Sequence, residues 1–226
     1  YTKVPIIDIT ALRDGSNPIK VAQELHSASK NLGFIYIKGH GIPKQVIDAI
    51  RQDGLSFFRS EPTSKQQVKI SQYHRGWLGY GGSKMKENAK TDLKESFIWG
   101  HQGDQDNDKP NHPLRGPNVW PHFLPSLERN AMAYFQYGDA LARQLLKGFA
   151  LGLDLEDGFF LKQSDKPLSR ASLVYYPSQP DSLGSEQFGV SSHTDFGVLT
   201  LLCQDMTGGL QIQDLNGDWF HAPPIE

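Results

Sequence analysis

A histidine and an aspartate stand two residues apart in the run VSSHTDFGVLTLLCQD at residues 190–205. In a β-strand, side chains at i and i+2 point to the same face, so His193 and Asp195 can reach one ion while Thr194 faces away. A neutral imidazole and a carboxylate suit a first-row divalent metal. With a second imidazole they would occupy one face of an octahedron and leave the other face open. The pair therefore predicts a metal site that can accept further ligands.

The pattern His-x-Asp is short, and a hydrogen-bonded pair at the protein surface is its usual alternative explanation. The surrounding sequence favours a metal site, because Gly189 and Gly197 flank the pair and an apolar run follows it. A buried carboxylate needs a charged partner or a metal to offset the free-energy cost of its desolvation.

The chain changes in pattern near Arg170, from helical periodicity to short strand-like runs. This order predicts an α+β, mainly β protein, with a β core braced by N-terminal helices. We predict two parts, residues 1–125 and 126–226, and a shaped loop over residues 71–88. Helices are predicted from Asn17-Pro18 to Gly33, from Pro43, from Pro62 and over Leu127–Phe149. Strands are predicted at residues 4–9, 34–37, 92–100, 170–177, 190–195, 198–205, 209–214 and 218–222, with a hairpin turn at Asn216-Gly217.

Several motifs, in this order and spacing, resemble the isopenicillin N synthase-like family of iron(II)/2-oxoglutarate-dependent oxygenases. The resemblance spans nearly all of the chain. The motifs are VPIIDI at 4–9, GFIYIKGHGIP at 33–43, RGW at 75–77, DLKESFIWG at 92–100, YYP at 175–177, HTD at 193–195, LTLL at 199–202, GGLQ at 208–211 and GDW at 217–219.

This resemblance implies a double-stranded β-helix (jelly roll) whose C-terminal part is missing from this chain. It implies that His193 and Asp195 bind iron, Fe(II), together with a third histidine expected after Glu226, where an Arg-x-Ser motif should grip 2-oxoglutarate. It further implies that Tyr176 donates a hydrogen bond in the pocket and that Leu202 and Leu210 line the cosubstrate pocket.

Candidate substrate contacts also come from this resemblance. The glycine-rich segment with Arg75 and Trp77 borders the entrance in the resembled family, and Phe196 follows the metal pair. Plain loop packing is the alternative explanation for Arg75 and Trp77. Val174 departs from the family pattern, since many members carry asparagine there, and valine makes no hydrogen bond at that position.

Two features of the chain resemble the histidine and the Arg-x-Ser motif that are expected after Glu226. His221 lies 28 residues after His193, closer than the distal histidine of the resembled family, and Arg170-Ala171-Ser172 precedes the metal pair rather than following it. We interpret both as strand residues.

The composition and charge of the chain indicate which classes of binding partner and which cellular location to expect. With 23 Lys and Arg against 25 Asp and Glu, the net charge is −2 and no basic block is present. This excludes a nucleic-acid or anionic-membrane partner, and no apolar run is long enough to span a bilayer. Cys203 is the only cysteine, which fits a reducing, cytoplasmic location.

The predicted activity is that of a dioxygenase, an oxidoreductase that uses iron(II), 2-oxoglutarate and O2. It would oxidise a small organic molecule, usually by hydroxylation, with release of succinate and CO2. Two alternatives stay open: an iron oxidase of the same fold that does not use 2-oxoglutarate, and a metal-free binding module without catalysis. The sequence reveals neither the substrate nor the oligomeric state.

Overall fold

The computed structural model describes residues 4–82, 92–102, 112–179 and 188–225. Within them the chain forms both helices and small sheets, as the α+β prediction requires, but helices outweigh strands in the described residues, so the mainly β part of the prediction is not confirmed. The helices are α1 (Thr10–Arg13), α2 (Pro18–Asn31), α3 (Lys44–Phe58), α4 (Pro62–Gln66), α5 (Pro125–Gly152) and α6 (Phe159–Lys162). The strands are β1 (Ile6–Asp8), β2 (Tyr36–Lys38), β3 (Gly76–Leu78), β4 (Glu95–Gly100), β5 (Arg170–Tyr175), β6 (Gln211–Gln213) and β7 (Trp219–His221).

A local capping signal placed helix α2 correctly, whereas the short helices α1 and α6 were not predicted. Helix α2 begins at Pro18, and the Asn17 side chain accepts a hydrogen bond from the backbone N–H of Lys20 at 3.4 Å. This is the cap expected of Asn before a first-turn proline. Helix α5 is longer at both ends than the predicted Leu127–Phe149.

The strands pair in three sheets. Strands β1 and β2 are parallel, β3-β4-β5 form an antiparallel sheet, and β6 and β7 form a hairpin. The hairpin turn at Asn216-Gly217 is confirmed: Gly217 has a φ of 91°, which suits glycine, and Asp214 Oδ1 accepts from the backbone N–H of Asn216 at 2.9 Å.

Three local predictions are wrong. Residues 190–195 and 198–205 form no strand, because no strand of the described chain pairs with them. Their β-rich composition is a local preference that needs a ladder partner to become a strand. Strand β3 lies inside the segment predicted as a loop, since pairing with β4 overrides its glycine content; residues 83–88 of that segment lie outside the described residues.

The chain divides into two compact units that do not follow the order of the sequence. One unit comprises Tyr1–Gly41, Gly138–Lys166 and Gly197–Glu226, and the other comprises Ile42–Tyr137 and Pro167–Phe196. The division into residues 1–125 and 126–226 stays a prediction. Of the candidate site residues, Leu202 and Leu210 belong to the first unit, and the others belong to the second.

Aromatic side chains from α3 and β4 form the core of the second unit. The ring centroids of Phe57 and Phe97 are 4.8 Å apart at an interplanar angle of 62°, an edge-to-face contact. The indole N–H of Trp99 donates to the carbonyl of Ala131 at 3.2 Å. All four of these residues are almost completely buried, so β4 is a rigid element.

A buried ion pair fixes the first residue of β4. Lys65 Nζ lies 2.8 Å from Glu95 Oε2 and donates to the carbonyl of Phe58 at 2.9 Å. The indole N–H of Trp77 donates to the same Glu95 oxygen at 2.7 Å. Each polar group that is buried here has a partner, as burial of charge requires.

A smaller apolar cluster holds the first unit together. Val4, Ile212 and Ala222 are buried against one another. The Tyr36 hydroxyl donates to the carbonyl of Pro223, which ties β2 to the segment after β7. Among the described residues, no helix has the length and apolar character needed to cross a bilayer.

Candidate functional site

The side chains of His193 and Asp195 converge although their segment is not a strand. His193 Nε2 lies 3.3 Å from Asp195 Oδ1, and the two side chains are 33% and 50% exposed. His193 Nδ1 lies 2.8 Å from the carbonyl oxygen of Ser191. Because a carbonyl only accepts, Nδ1 carries the proton and donates it, and in the neutral imidazole Nε2 keeps its lone pair towards the carboxylate.

This pair has the donor chemistry of part of a metal site. An imidazole nitrogen and a carboxylate oxygen that lie 3.3 Å apart and are partly open to solvent are donor types that suit a first-row divalent cation such as iron(II). Within the described ranges, no group of three His, Cys, Asp or Glu side chains is placed to hold a metal ion. Among the described residues, His193 and Asp195 are therefore a candidate pair of ligands, and the third ligand stays a prediction.

A buried carboxylate anchors the segment that carries the pair. Asp92, which is 0% exposed, accepts a hydrogen bond from the backbone N–H of Ser191 at 3.0 Å. Lys94 Nζ lies 3.3 Å from Asp92 Oδ2. The backbone N–H of Leu93 donates to the carbonyl of Phe188 at 3.4 Å. The residues just before β4 thus hold the main chain just before His193.

Tyr176 lies at the same end of the sheet. The β4–β5 ladder ends at the pair Glu95–Tyr175, so Asp92 precedes and Tyr176 follows neighbouring strand ends. Partial desolvation of its hydroxyl raises the pKa of Tyr176, and the negative charge of Asp92 raises it further. The phenol therefore stays protonated well above neutral pH and can act as a hydrogen-bond donor.

Burial alternates along β5, as expected of a strand whose successive side chains point to opposite faces. Arg170, Ser172, Val174 and Tyr176 are exposed, whereas the residues between them are partly buried. Val174 therefore lies on the same face as Tyr176. It stands where a polar side chain could have reached the solvent beside Tyr176.

Gly189 lets the main chain pack directly on the Tyr176 ring. A Cβ at position 189 would lie 2.6 Å from Tyr176 Cδ1 and 2.9 Å from Cε1, closer than side-chain atoms approach one another. Together with the contacts of Phe188 and Ser191, this packing fixes the segment against the end of the β4–β5 ladder.

Arg75 and Trp77 are buried in the interior of the second unit. Arg75 Nη2 donates to the carbonyl of Leu114 at 2.9 Å, and its Nε has no hydrogen-bond partner in the described chain. Burial lowers the pKa of Arg75, and the nearby charge of Arg170 lowers it further. The only N–H of the Trp77 side chain donates to Glu95. Their role as substrate contacts stays a prediction.

The remaining candidates differ in exposure. Phe196 is 99% exposed next to Asp195, and Leu202 is also largely exposed. Leu210 packs against the apolar cluster of the first unit. His221 and Arg170 are strand residues, as predicted: His221 pairs with Gln211 in the β6–β7 hairpin, and Arg170 pairs with Gly100 in the β4–β5 ladder.

The sequence reasoning missed Asp92 and Ser191. Asp92 belongs to a motif that was noted only for its resemblance, and no local pattern marks an aspartate before a strand as buried. Its contact with Ser191 spans 99 positions of the chain. Ser191 acts through its main chain, for which the sequence has no residue-specific signal.

Comparisons with protein-family models match both halves of the chain. Residues 4–123 match the N-terminal domain described as non-haem dioxygenase in morphine synthesis. Residues 169–226 match the 2OG-Fe(II) oxygenase superfamily.

Two similar relatives have curated names. A Dictyostelium discoideum protein described as a probable iron/ascorbate oxidoreductase is 31% identical over 99% of this chain and 69% of its own length. A 2-oxoglutarate-Fe(II) type oxidoreductase of Metarhizium majus is 30% identical over all of this chain and 66% of its own length. The chain thus spans about two thirds of the length of these relatives.

A solved structure has a similar fold. A full-length Neurospora crassa protein in complex with alpha-KG superposes with a TM-score of 0.85 at 26% identity, covering 99% of this chain and 70% of that one. The same Neurospora protein in complex with alpha-KG and thymine gives a TM-score of 0.83 at 25% identity, with 99% of this chain and 71% of that one covered.

Proposed function

The chain belongs to the family of iron(II)- and 2-oxoglutarate-dependent oxygenases, and from that premise we propose that it hydroxylates a small organic molecule. The family consists of oxidoreductases that use iron(II) with 2-oxoglutarate and O2 as cosubstrates. Succinate and CO2 are the expected coproducts. In this proposal the strands after Arg170 form part of a jelly-roll core like that expected from the resemblance.

The observation that carries the proposal is the convergence of His193 Nε2 and Asp195 Oδ1 at 3.3 Å. We assign these two groups as iron ligands. The third ligand, a histidine expected after Glu226, stays a prediction. Bound iron(II), with 2-oxoglutarate and O2, supplies the oxidising power to convert an unactivated C–H bond to an alcohol.

The chain's own residues hold and orient the reactants. The protonated Tyr176 hydroxyl donates to a carboxylate of 2-oxoglutarate or of the substrate, since a phenol with a raised pKa does not compete as an anion. The role of Leu202 and Leu210 as cosubstrate-lining residues stays a prediction from the resemblance. Phe196, beside a proposed ligand and almost fully exposed, contacts the substrate.

The chain is similar to proteins whose names state small-molecule ligands, and we therefore expect its substrate to be a small molecule. Structures of the Neurospora protein contain thymine or 5-formyluracil, and other relatives are named homoarginine-6-hydroxylase and validamycin A dioxygenase. This variety within one fold means that pocket shape decides the substrate. The expected cytoplasmic location rests on the single cysteine and stays a prediction.

The test is an anaerobic titration of the full-length protein with iron(II) and 2-oxoglutarate, followed by a screen of small molecules for stimulated succinate release. We expect a weak visible charge-transfer band that disappears in His193→Ala and Asp195→Ala. The matched control is Thr194→Ala, which removes the side chain between the two ligands and should keep the band.

Each contrary outcome identifies an alternative. A band that survives Asp195→Ala contradicts the assignment of that ligand. Iron binding and substrate oxidation without succinate indicate a 2-oxoglutarate-independent oxidase. Absence of iron binding in the full-length protein indicates a metal-free binding module.

A further inference from the structure

We propose that Asp92 is a positioning residue for the metal site. It fixes the orientation of the His193 imidazole through the main chain of Ser191. The inference rests on the proposed function, because it concerns how one of the proposed iron ligands is aimed.

Two hydrogen bonds connect the carboxylate to the imidazole. Asp92 Oδ1 accepts from the backbone N–H of Ser191 at 3.0 Å, and the carbonyl of Ser191 accepts from His193 Nδ1–H at 2.8 Å. The main chain of Ser191 therefore donates to Asp92 through its N–H and accepts from His193 through its carbonyl. The second bond leaves Nε2 as the nitrogen that faces Asp195.

The two ends of this connection differ in rigidity. Asp92 is completely buried, is neighboured by Lys94 at 3.3 Å, and precedes the strand that carries Phe97 and Trp99 in the core. His193 is one third exposed and lies in a segment without strand pairing. A hydrogen bond from a backbone N–H to an ionised carboxylate is stronger than one to a neutral acceptor. The buried carboxylate of Asp92 thus fixes the position of the exposed segment relative to the core.

Metal sites depend on such outer contacts. A ligating histidine that donates its second ring N–H to a carbonyl has a fixed tautomer and ring plane, and loss of an outer partner typically weakens metal binding about 10- to 100-fold. In this chain the outer partner is itself a main-chain carbonyl in an irregular segment. Of the contacts that hold this segment, the bond from Ser191 to Asp92 is made by the same residue whose carbonyl accepts from His193.

The test measures binding of Co(II), a redox-stable substitute for iron(II), to the full-length protein by its visible absorption. We expect Asp92→Ala to raise the dissociation constant about 10-fold. Asp92→Asn keeps an acceptor oxygen but loses the charge, so we expect a smaller rise, of less than about 10-fold, below the range for complete loss of an outer partner. In the metal-free protein, Asp92→Asn should also shift the amide proton resonance of Ser191.

The matched control is Asp53→Ala. Asp53 is another buried aspartate of the second unit, and it accepts hydrogen bonds from Ser126 Oγ at 2.9 Å and from Asn130 Nδ2 at 2.7 Å. Its loss should lower the stability of the fold and leave the dissociation constant for Co(II) unchanged. A purely structural role of Asp92 would give the same result as this control.

The outcomes separate the inference from the proposed function. If His193→Ala abolishes Co(II) binding but both Asp92 variants bind with the affinity of the unsubstituted protein, the inference is wrong and the metal site stands. If His193→Ala binds Co(II) normally, the proposed function itself is wrong. Should Asp92→Ala fail to fold, an unchanged dissociation constant and an unchanged Ser191 resonance in Asp92→Asn overturn the inference.

Discussion

Strand β4 and the segment of residues 188–196 lie in the same compact unit but are held by different forces. In β4, Phe97 and Trp99 are surrounded by aromatic and aliphatic side chains and are almost completely buried. In the segment, Asp195 is half exposed and Phe196 is 99% exposed, and no strand of the described chain pairs with either residue. Packing in a buried core fixes the first region, whereas a small number of hydrogen bonds and the contact of Gly189 with the Tyr176 ring fix the second.

This difference separates the residues that stabilise the fold from those that would perform chemistry. Ligands that must admit cosubstrate and O2 cannot be enclosed by packing, so their positions depend on directed contacts with a rigid neighbour. Asp92 and Gly189 supply such contacts here. We therefore expect core substitutions to change stability strongly and segment substitutions to change the site with little effect on stability.

The largest expected effect is the loss of a core aromatic ring. Phe57 is completely buried against Phe97, so Phe57→Ala should lower the free energy of unfolding by about 3–5 kcal/mol. Phe196→Ala removes the same side chain from an exposed position and should change it by less than about 0.5 kcal/mol. Urea denaturation of both variants measures the difference. Similar losses in the two would mean that the segment is packed as tightly as the core.

A second comparison contrasts ion pairs. Lys65→Ala leaves the buried Glu95 carboxylate without its cation and should cost about 3 kcal/mol. The exposed pair of Lys44 and Asp48 is worth less than about 1 kcal/mol, so Lys44→Ala is the matched control. Thermal unfolding at low and moderate salt measures both. A loss in the Lys65 variant no greater than that in the control would show that burial does not strengthen the first pair.

A smaller effect is expected where the segment packs on the tyrosine ring. Gly189→Ala places a methyl group 2.6 Å from Tyr176 Cδ1, and the ring can swing towards solvent to relieve the clash. We expect a loss of about 1 kcal/mol together with a changed near-ultraviolet spectrum of the tyrosine.

Gly138→Ala is the control for glycine replacement itself. No atom of the described chain would contact the added methyl group in helix α5, and alanine should stabilise the helix by about 0.5–1 kcal/mol. Equal changes in stability for the two variants would contradict the close approach of residue 189 to the ring.

The smallest effect is a dependence of stability on alkaline pH. Because the pKa of Tyr176 is raised by desolvation and by Asp92, the folded state keeps this proton above pH 10 whereas the unfolded state releases it. The unfolded state then binds fewer protons, so the free energy of unfolding falls as pH rises above about 10. Tyr176→Phe should remove this part of the decline. Burial also raises the pKa of Tyr36, so absorbance titration at 295 nm should lose one of its late-titrating phenols in Tyr176→Phe. Loss of a phenol that titrates at or below about 10 would contradict this account.

Features with a local cause could be predicted from the sequence. Asn17-Pro18 and Asn216-Gly217 specify a helix start and a hairpin by their own backbone preferences. His193 and Asp195 do lie 3.3 Å apart, but not for the predicted reason, since the strand that would have placed them on one face did not form.

Features with a distant cause could not be predicted. The hydrogen bond of Asp92 joins it to Ser191, 99 positions away, and β3 forms in a glycine-rich segment because β4 pairs with it. The apolar pattern of residues 198–205 indicates a strand, but a strand needs a partner, and no residue type in the segment reveals whether one is available.

The most direct measurement is the position of the metal in the full-length protein. Crystals grown without oxygen with iron(II) and 2-oxoglutarate should give an anomalous peak at the iron edge, about 2.0–2.2 Å from His193 Nε2 and from an Asp195 carboxylate oxygen, the range of such bonds to a similar first-row ion. A peak bound elsewhere, or crystals in which these two side chains contact each other and no ion, would contradict the account.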